Sequence, residues 1–271
     1  MMFALLAGYV LWAGLHGQST ANQGPALPET SLELVAYTAI SLLVFAAVFA
    51  VAWLVGRPSK ADLYAAQKIQ ILTFVFGLVW SFALRAMLFV LMMLVVLILV
   101  LLKGKAGPET LMQFRPKVEN LFPPAALADP VYTLLCTTWV SFIVAGLREE
   151  LWRAGVISSL RALFPAEWPG RRWEWLAVVI AAGLFGIGHL TQGWAAVALT
   201  ATIGLGLGAI LVLRRSLPEA VIAHGFFDAL TFAALAVITN QTLIQNLLER
   251  LGVDREAIRQ LMESLNKAIG K

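Results

Sequence analysis

Seven ionisable residues stand out within the apolar runs of this 271-residue chain: Arg85, Glu149, Glu150, Arg153, His189, His224 and Asp228. Each costs a few kcal/mol near the centre of a bilayer, and pairing or function is the usual compensation. Glu149 and Arg153 are spaced i,i+4, and Glu150 and Arg153 i,i+3, so both pairs can meet on one helix face. A plain salt bridge accounts for one of the two glutamates, and Arg148 can hold the other. His224 and Asp228 are also i,i+4, and a carboxylate beside an imidazole fixes its tautomer and raises its basicity. The plain reading of that pair is a polar cap near the start of a span. His189 closes the segment Phe185-Gly-Ile-Gly-His189 and by itself reads as an interhelical hydrogen-bonder. His16 falls between apolar runs and is assigned nothing. The combination says more than its parts. One glutamate and two histidines converging in a dry cavity can activate a water, with the carboxylate as general base. The histidines then orient the water, donate to an oxyanion, or bind a metal together with the glutamate.

Several protease chemistries are excluded by what is missing. There is no H-E-x-x-H, hence no zincin-type zinc site, and no G-x-S-x-G nucleophile elbow. Asp228 is the single aspartate inside a span, so an aspartyl dyad is unavailable.

The elements that must position these residues are helices in a membrane. Hydrophobic residues make up 60 % of the chain and charged residues 13 %, against about 25 % charged in an average soluble domain. Mean hydropathy is +0.81. Those values exclude a disordered chain, a disulfide-stapled secreted domain and an ordinary soluble enzyme. The apolar runs are long and continuous, unlike the short alternating segments of a β-barrel. The one cysteine, Cys136, excludes an internal disulfide and a multi-cysteine metal site. A net charge of +4 is spread over loops between the runs, without the basic patch and interleaved aromatics of a nucleic-acid binder.

Along the chain, Met1–Leu15 reads as a short first span and Val35–Val55 as a clear one. Ile69–Leu102 is interrupted only by Arg85 and is either one long tilted helix or two segments broken near Gly77. Lys103–Asp129, with Pro108, Pro116, Pro123 and Pro124, reads as a loop. Val131–Leu147 runs unbroken into Arg148–Phe164, which puts both glutamates on one helix inside or at the edge of the membrane. A turn follows at Pro165–Arg172. Trp173–Leu190, Trp194–Leu213 and Leu217–Ile238 are three more spans, and Gly204, Gly206 and Gly208 permit close helix approach. From Gln241, the residues Leu243, Leu247, Leu248, Leu251, Ile258, Leu261 and Leu265 recur at helical spacing around Gly252, as an amphipathic two-helix tail. The expectation is an all-α, polytopic transmembrane bundle of about seven to eight spans over residues 1–240, with its motif core at 131–238 and the tail at 241–271. Basic clusters at Arg57, Lys60 and Lys68, at Arg171 and Arg172, and at Arg214 and Arg215 assign those loops to the cytoplasm. A multi-pass protein of a bacterial inner membrane is the expected setting.

The segments Glu149-Glu150-Leu151-Trp152-Arg153-Ala154-Gly155, Phe185-xxx-His189 and His224-xxx-Asp228 resemble the three motifs of the CPBP family, the CAAX-processing and bacteriocin-processing membrane endopeptidases also called the Abi family. The family pattern is a diglutamate followed after three residues by arginine, then Phe-xxx-His, then His-xxx-Asn or Asp. The order and approximate spacing agree over Glu149–Asp228. The resemblance implies an endopeptidase cutting within or beside the membrane, with a peptide or prenylated protein as substrate. It implies Glu149 or Glu150 as base, His189 and His224 as water-positioning or oxyanion groups, Asp228 orienting His224, Arg153 holding the glutamates and Phe185 packing the cavity. Family members are classed as metal-dependent, although a metal-free glutamate-activated water is the leading account. A zinc ion, if bound, would take Glu149, His189 and His224. One departure stands out: only Leu151 and Trp152 separate the diglutamate from Arg153. Aligned on Trp152-Arg153, Glu149 matches the second glutamate and Arg148 fills the first position. Aligned on the diglutamate, the arginine is displaced by one residue, which is 100° around a helix. Glu149 is the favoured base, with Glu150 second.

Two other classes compete with the peptidase. A scaffold or immunity protein of the same fold would keep the helices and lose the chemistry, as the altered spacing suggests. A small transporter would also place Glu, His and Asp inside spans, but no inverted repeat is visible. One geometric demand is common to every catalytic reading: His189 near the end of one span must meet His224 near the start of another, on the far side of an intervening helix.

Overall fold

The computed structural model describes residues 1–20, 27–104, 116, 121, 123–161, 163–164 and 172–269. Most of the proline-rich stretch expected at Lys103–Asp129, most of the turn at Pro165–Arg172, and the side chains of His16, Leu243, Leu247 and Leu265 lie outside the described residues. All regular structure among the described residues is helical.

Each helix starts and stops for local reasons. Helix α1 spans Met2–Thr20. Helix α2 spans Ser31–Gly56; Thr30 caps it by accepting from the Glu33 amide, and Arg57 closes it in the left-handed conformation, φ 43°. Helix α3 is a single helix over Ile71–Lys103, capped through Gln70 and Thr73, so the long apolar run does not break at Gly77. A 3₁₀ turn at Pro124–Ala128 leads to Asp129, whose carboxylate caps helix α4, Pro130–Arg161. Helix α5 covers Arg172–Ile187, followed by a 3₁₀ turn at Leu190–Gln192 and helix α6 at Trp194–Arg214. Ser216 accepts from the Glu219 amide to start helix α7, Leu217–Thr239. The tail forms α8, Gln241–Arg250, and α9, Arg255–Ile269, separated at Gly252, whose φ of 75° suits glycine.

Five of these helices are long and apolar enough to cross a membrane: α2, α3, α4, α6 and α7. Met2–Leu15 is apolar but shorter, and α5 has 16 residues. The exposed surface is what a bilayer requires: none of the most apolar stretch of α3 is buried in the protein, and an apolar face of that extent does not face water in soluble proteins. The chain is a multi-pass membrane protein.

The bundle buries one main core to which all of α1 to α7 contribute, centred on Trp152, Ile157, Phe185, Leu207 and Ala223. Close pairings of α5 with α6, and of α7 with both α3 and the first half of α4, frame it. The basic loops converge on one end. Gln67 donates to the Arg214 carbonyl at 3.1 Å, the Leu217 amide to the Tyr64 carbonyl at 2.8 Å, and Arg215 pairs with Glu174 at 2.5 and 3.0 Å.

Helix α4 departs from regular α geometry. Residues Cys136–Leu147 form a π-helix, and α-helix resumes at Arg148. Hydrogen bonds from i to i+5 accommodate more residues per turn and turn every later side chain about the axis; such insertions concentrate at functional sites. Here the insertion ends directly before the diglutamate. It faces α7, where a Cβ on Gly146 would lie 2.9 Å from the Val221 carbonyl, so only glycine permits this approach.

Candidate active site

Three elements bring the expected residues together. α4 supplies Arg148, Glu149, Glu150 and Arg153, the end of α5 supplies Phe185 and His189, and the first turns of α7 supply His224 and Asp228. Glu150 and Arg153 are fully buried and form an ion pair one helical turn apart. The same carboxylate oxygen, Oε1, stands 2.8 Å from His224 Nδ1. A carboxylate already engaged by a guanidinium is an acceptor only, so Nδ1 carries the proton and donates. Glu150 Oε2 and Arg153 Nε and Nη2 are buried without a hydrogen-bond partner among the described residues.

Glu149 faces a different neighbourhood. It pairs with Arg148 at 2.8 Å, and Arg148 in turn donates to Ser41 Oγ at 3.0 Å, which ties α4 to α2. Its other oxygen, Oε2, stands 3.8 Å from His224 Nε2. Asp228 Oδ2 lies 3.6 Å from the same nitrogen. Both carboxylates keep some exposure, 18 % for Glu149 and 27 % for Asp228, whereas Glu150 has none. The two adjacent glutamates are therefore different groups: one is locked by two partners, and the other borders open space beside the outward nitrogen of His224.

The two histidines, on either side of an intervening helix, both pack on the Phe185 ring. His189 Nδ1 donates to the Phe185 carbonyl at 2.9 Å, which turns the ring back along α5 from the helix end and leaves Nε2 as the acceptor of the neutral imidazole. The His189 ring packs edge-on to Phe185 at 4.8 Å, and the His224 ring meets Phe185 at 6.2 Å. The Arg153 guanidinium lies 4.6 Å from the same ring, a cation–π geometry. Trp152 packs on it at 6.4 Å and donates to the Leu6 carbonyl at 2.9 Å, anchoring α1. His189 is also close enough to Glu149 to interact electrostatically.

Of the seven residues singled out in the sequence, Arg85 is the one left without a role. On α3 it donates to the Phe227 carbonyl at 2.5 Å and to Thr231 Oγ1 at 3.1 Å, and its guanidinium lies 4.4 Å from the Phe227 ring. It thus clamps α3 to α7 beside Asp228. A lone arginine in a run of 33 helical residues was a signal, but its partners on α7 lie 142 and more residues away and leave no trace in local spacing. Ser41 was missed for the same reason.

The set Glu149, His189 and His224 does not fit a zinc ion as arranged. Among the described residues no three His, Cys, Asp or Glu side chains come together in an arrangement that could hold a metal ion. No step below is routed through a metal.

Comparison with known proteins gives one family. Residues 131–230 match the model of the Rce1-like family, described as type II CAAX prenyl endopeptidase Rce1-like. That segment runs from the start of α4 into α7 and holds every residue of the three motifs. No curated protein and no solved structure gives a significant match. The diglutamate, the histidine just after α5 and the histidine on α7 thus fall within the matched segment, and this match supports the CAAX-protease family of membrane endopeptidases for residues 131–230.

Proposed function

We propose that the chain is an intramembrane endopeptidase in which Glu149 activates a water held between itself, His224 and His189. One observation carries this reading: Glu150 is occupied by Arg153 and His224 at once, while Glu149 Oε2 is left 3.8 Å from the outward nitrogen of His224. That gap suits one water bonded to both, and catalytic contacts commonly tighten when substrate binds.

In the step so derived, Glu149 takes a proton from the water as its oxygen bonds to the scissile carbonyl carbon. The carbonyl π electrons move onto oxygen, and the oxyanion is met by an N–H of His224 in its imidazolium form. His189 Nε2 accepts a hydrogen bond from the water and aligns it. Collapse of the intermediate breaks the C–N bond, and the proton on Glu149 passes to the departing amine. Net, one water is added across the peptide bond. Glu150 acts through its bond to Nδ1, fixing the tautomer and orientation of His224, and Arg153 holds Glu150 in place. Asp228, farther from Nε2 than Glu150 is from Nδ1, tempers the charge on the imidazole. Phe185 sets the spacing of both histidines.

The matched family model makes a peptide with a prenylated C-terminal cysteine motif the first substrate to try, beside amphipathic peptides. The basic end of the bundle faces the cytoplasm in this reading, in a bacterial inner membrane. The test is cleavage by the purified protein, read by mass spectrometry, with Glu149→Gln, Glu150→Gln and His224→Ala in parallel. Loss of cleavage in Glu149→Gln with unchanged folding supports the assignment; full activity in that variant overturns it.

A further inference from the structure

A cavity of about 620 Å³ opens at the basic end of the bundle, where the N-terminus of α1 meets the C-termini of α2 and α4. It is separate from the Glu149 cluster: Glu150 precedes Arg161 by about three turns of α4, roughly 16 Å of helix rise. Its polar lining is Arg57, Arg161, Ser158 and Ser159, with Asp62 as its acid. That acid is largely spoken for. The Ser59 amide and hydroxyl donate to Asp62 at 3.0 and 2.7 Å, which holds its carboxyl below the usual range, and Arg161 reaches it only at 3.4 Å. Among the described residues, the Arg57 guanidinium and the Ser158 hydroxyl have no hydrogen-bond partner. Two guanidiniums against one engaged carboxylate leave the cavity net positive.

The surroundings say what kind of anion fits. Val55 and Phe3 complete the wall, and the outer face of α2 next to it exposes Val51, Trp53, Leu54 and Val55. The Arg161 guanidinium stands 5.5 Å from the Trp173 ring. Tryptophans at this level mark a membrane–water interface, and basic pockets between spans on the positively charged side suit anionic headgroups. We propose that this cavity binds the phosphate-bearing headgroup of an anionic phospholipid, with its acyl chains lying along the exposed face of α2. Arg57 and Arg161 hold the phosphate, and Ser158 donates to one of its oxygens. This site stands whether or not the chain is a peptidase.

The experiment uses the full chain in detergent micelles, titrated with phosphatidylglycerol, phosphatidylcholine of the same acyl chains, and inorganic phosphate. Retained lipid is read by native mass spectrometry and stabilisation by thermal melting. Phosphatidylglycerol is expected to be retained about tenfold or more over phosphatidylcholine. The preference falls to near unity in Arg57→Gln/Arg161→Gln, survives in Arg57→Lys, and is unchanged in Arg250→Gln on the tail. Equal retention of the two lipids overturns the proposal, as does an unchanged preference in the double variant. Stabilisation by inorganic phosphate without stabilisation by phosphatidylglycerol overturns the lipid assignment. If the double variant does not fold, the comparison of lipids on the unsubstituted chain decides.

Discussion

Glu150 Oε1 and His224 Nδ1, 74 residues apart in the chain, stand 2.8 Å from each other in the buried centre of the bundle. The contact uses the oxygen that Arg153 also holds, so a guanidinium, a carboxylate and an imidazole form one line of hydrogen bonds from α4 to α7. Its consequence is an asymmetry between neighbouring residues. Glu150 is spent on architecture, and Glu149 is left beside the opposite nitrogen of the same imidazole.

Replacing Glu149 by glutamine removes the proposed base and keeps the shape. Peptide cleavage is expected to fall about 10²–10⁴-fold, while the melting temperature stays within a few degrees, because the residue's one close partner is the partly exposed Arg148. Kinetics and thermal melting on the same preparation check both halves of the statement.

Replacing Glu150 has the opposite balance. Glu150→Leu leaves Arg153 charged and fully buried, and breaking a buried pair from one side costs about 3–5 kcal/mol. Protein yield and melting temperature should drop sharply. Glu150→Leu with Arg153→Leu is expected to recover much of the stability by removing both charges, yet remain inactive because His224 loses its orienting acceptor. A double variant as unstable as the single one would contradict this.

Phe185 touches both histidines and Arg153. Phe185→Ala is expected to cost about 3–5 kcal/mol through the cavity it leaves and to abolish cleavage. Phe185→Leu should retain the fold with activity lowered at least tenfold, since both rings lose their common spacer. Activity equal to that of the unsubstituted chain would remove Phe185 from the site.

Arg85 joins α3 to α7 through a carbonyl and a hydroxyl. Charged hydrogen bonds of this kind contribute about 1.5–3 kcal/mol, so Arg85→Leu should lower the melting point by several degrees. Thr231→Val removes one of its two acceptors on α7 and should give a smaller drop in the same direction. Additive losses in the Arg85→Leu/Thr231→Val pair would mean that the two side chains do not act together.

Incubation with 1,10-phenanthroline or EDTA tests the water-only mechanism. Cleavage is expected to be unchanged after chelation and dialysis, because among the described residues no three His, Cys, Asp or Glu side chains come together as a metal site. Loss of activity restored by added zinc would assign the water to a metal instead.

Much of this architecture was legible in the residues. Continuous apolar runs give helices, because only a backbone that satisfies itself can cross hydrocarbon, and the runs at Val35–Val55, Trp194–Leu213 and Leu217–Ile238 became α2, α6 and α7 with ends shifted by a few residues. The unbroken passage from Val131 through the diglutamate became α4. The local pairs Glu150 with Arg153 and His224 with Asp228 followed from helical spacing, as did the break of the tail at Gly252. The count of spans was less legible, since hydropathy does not say whether a run of 34 residues is one helix or two; it is one, α3.

Which glutamate faces which partner was not in the sequence. The residues around Glu149 and Glu150 allow two alignments differing by 100° about the helix, and the π-helix at Cys136–Leu147 adds a rotation that no local pattern announces. Nor could spacing say that His189 and His224 would both pack on Phe185, because the side-chain bond to the Phe185 carbonyl, not the length of the helix, turns His189 inward. Sequence fixes what is decided within a turn or two of chain: helix propensity, caps and i,i+4 neighbours. The pairing of Glu150 with His224 and of Arg85 with α7 spans 74 and more than 140 residues. Such contacts exist only once burial has made an unpaired charge too costly to leave alone, and that is decided by the packed bundle as a whole.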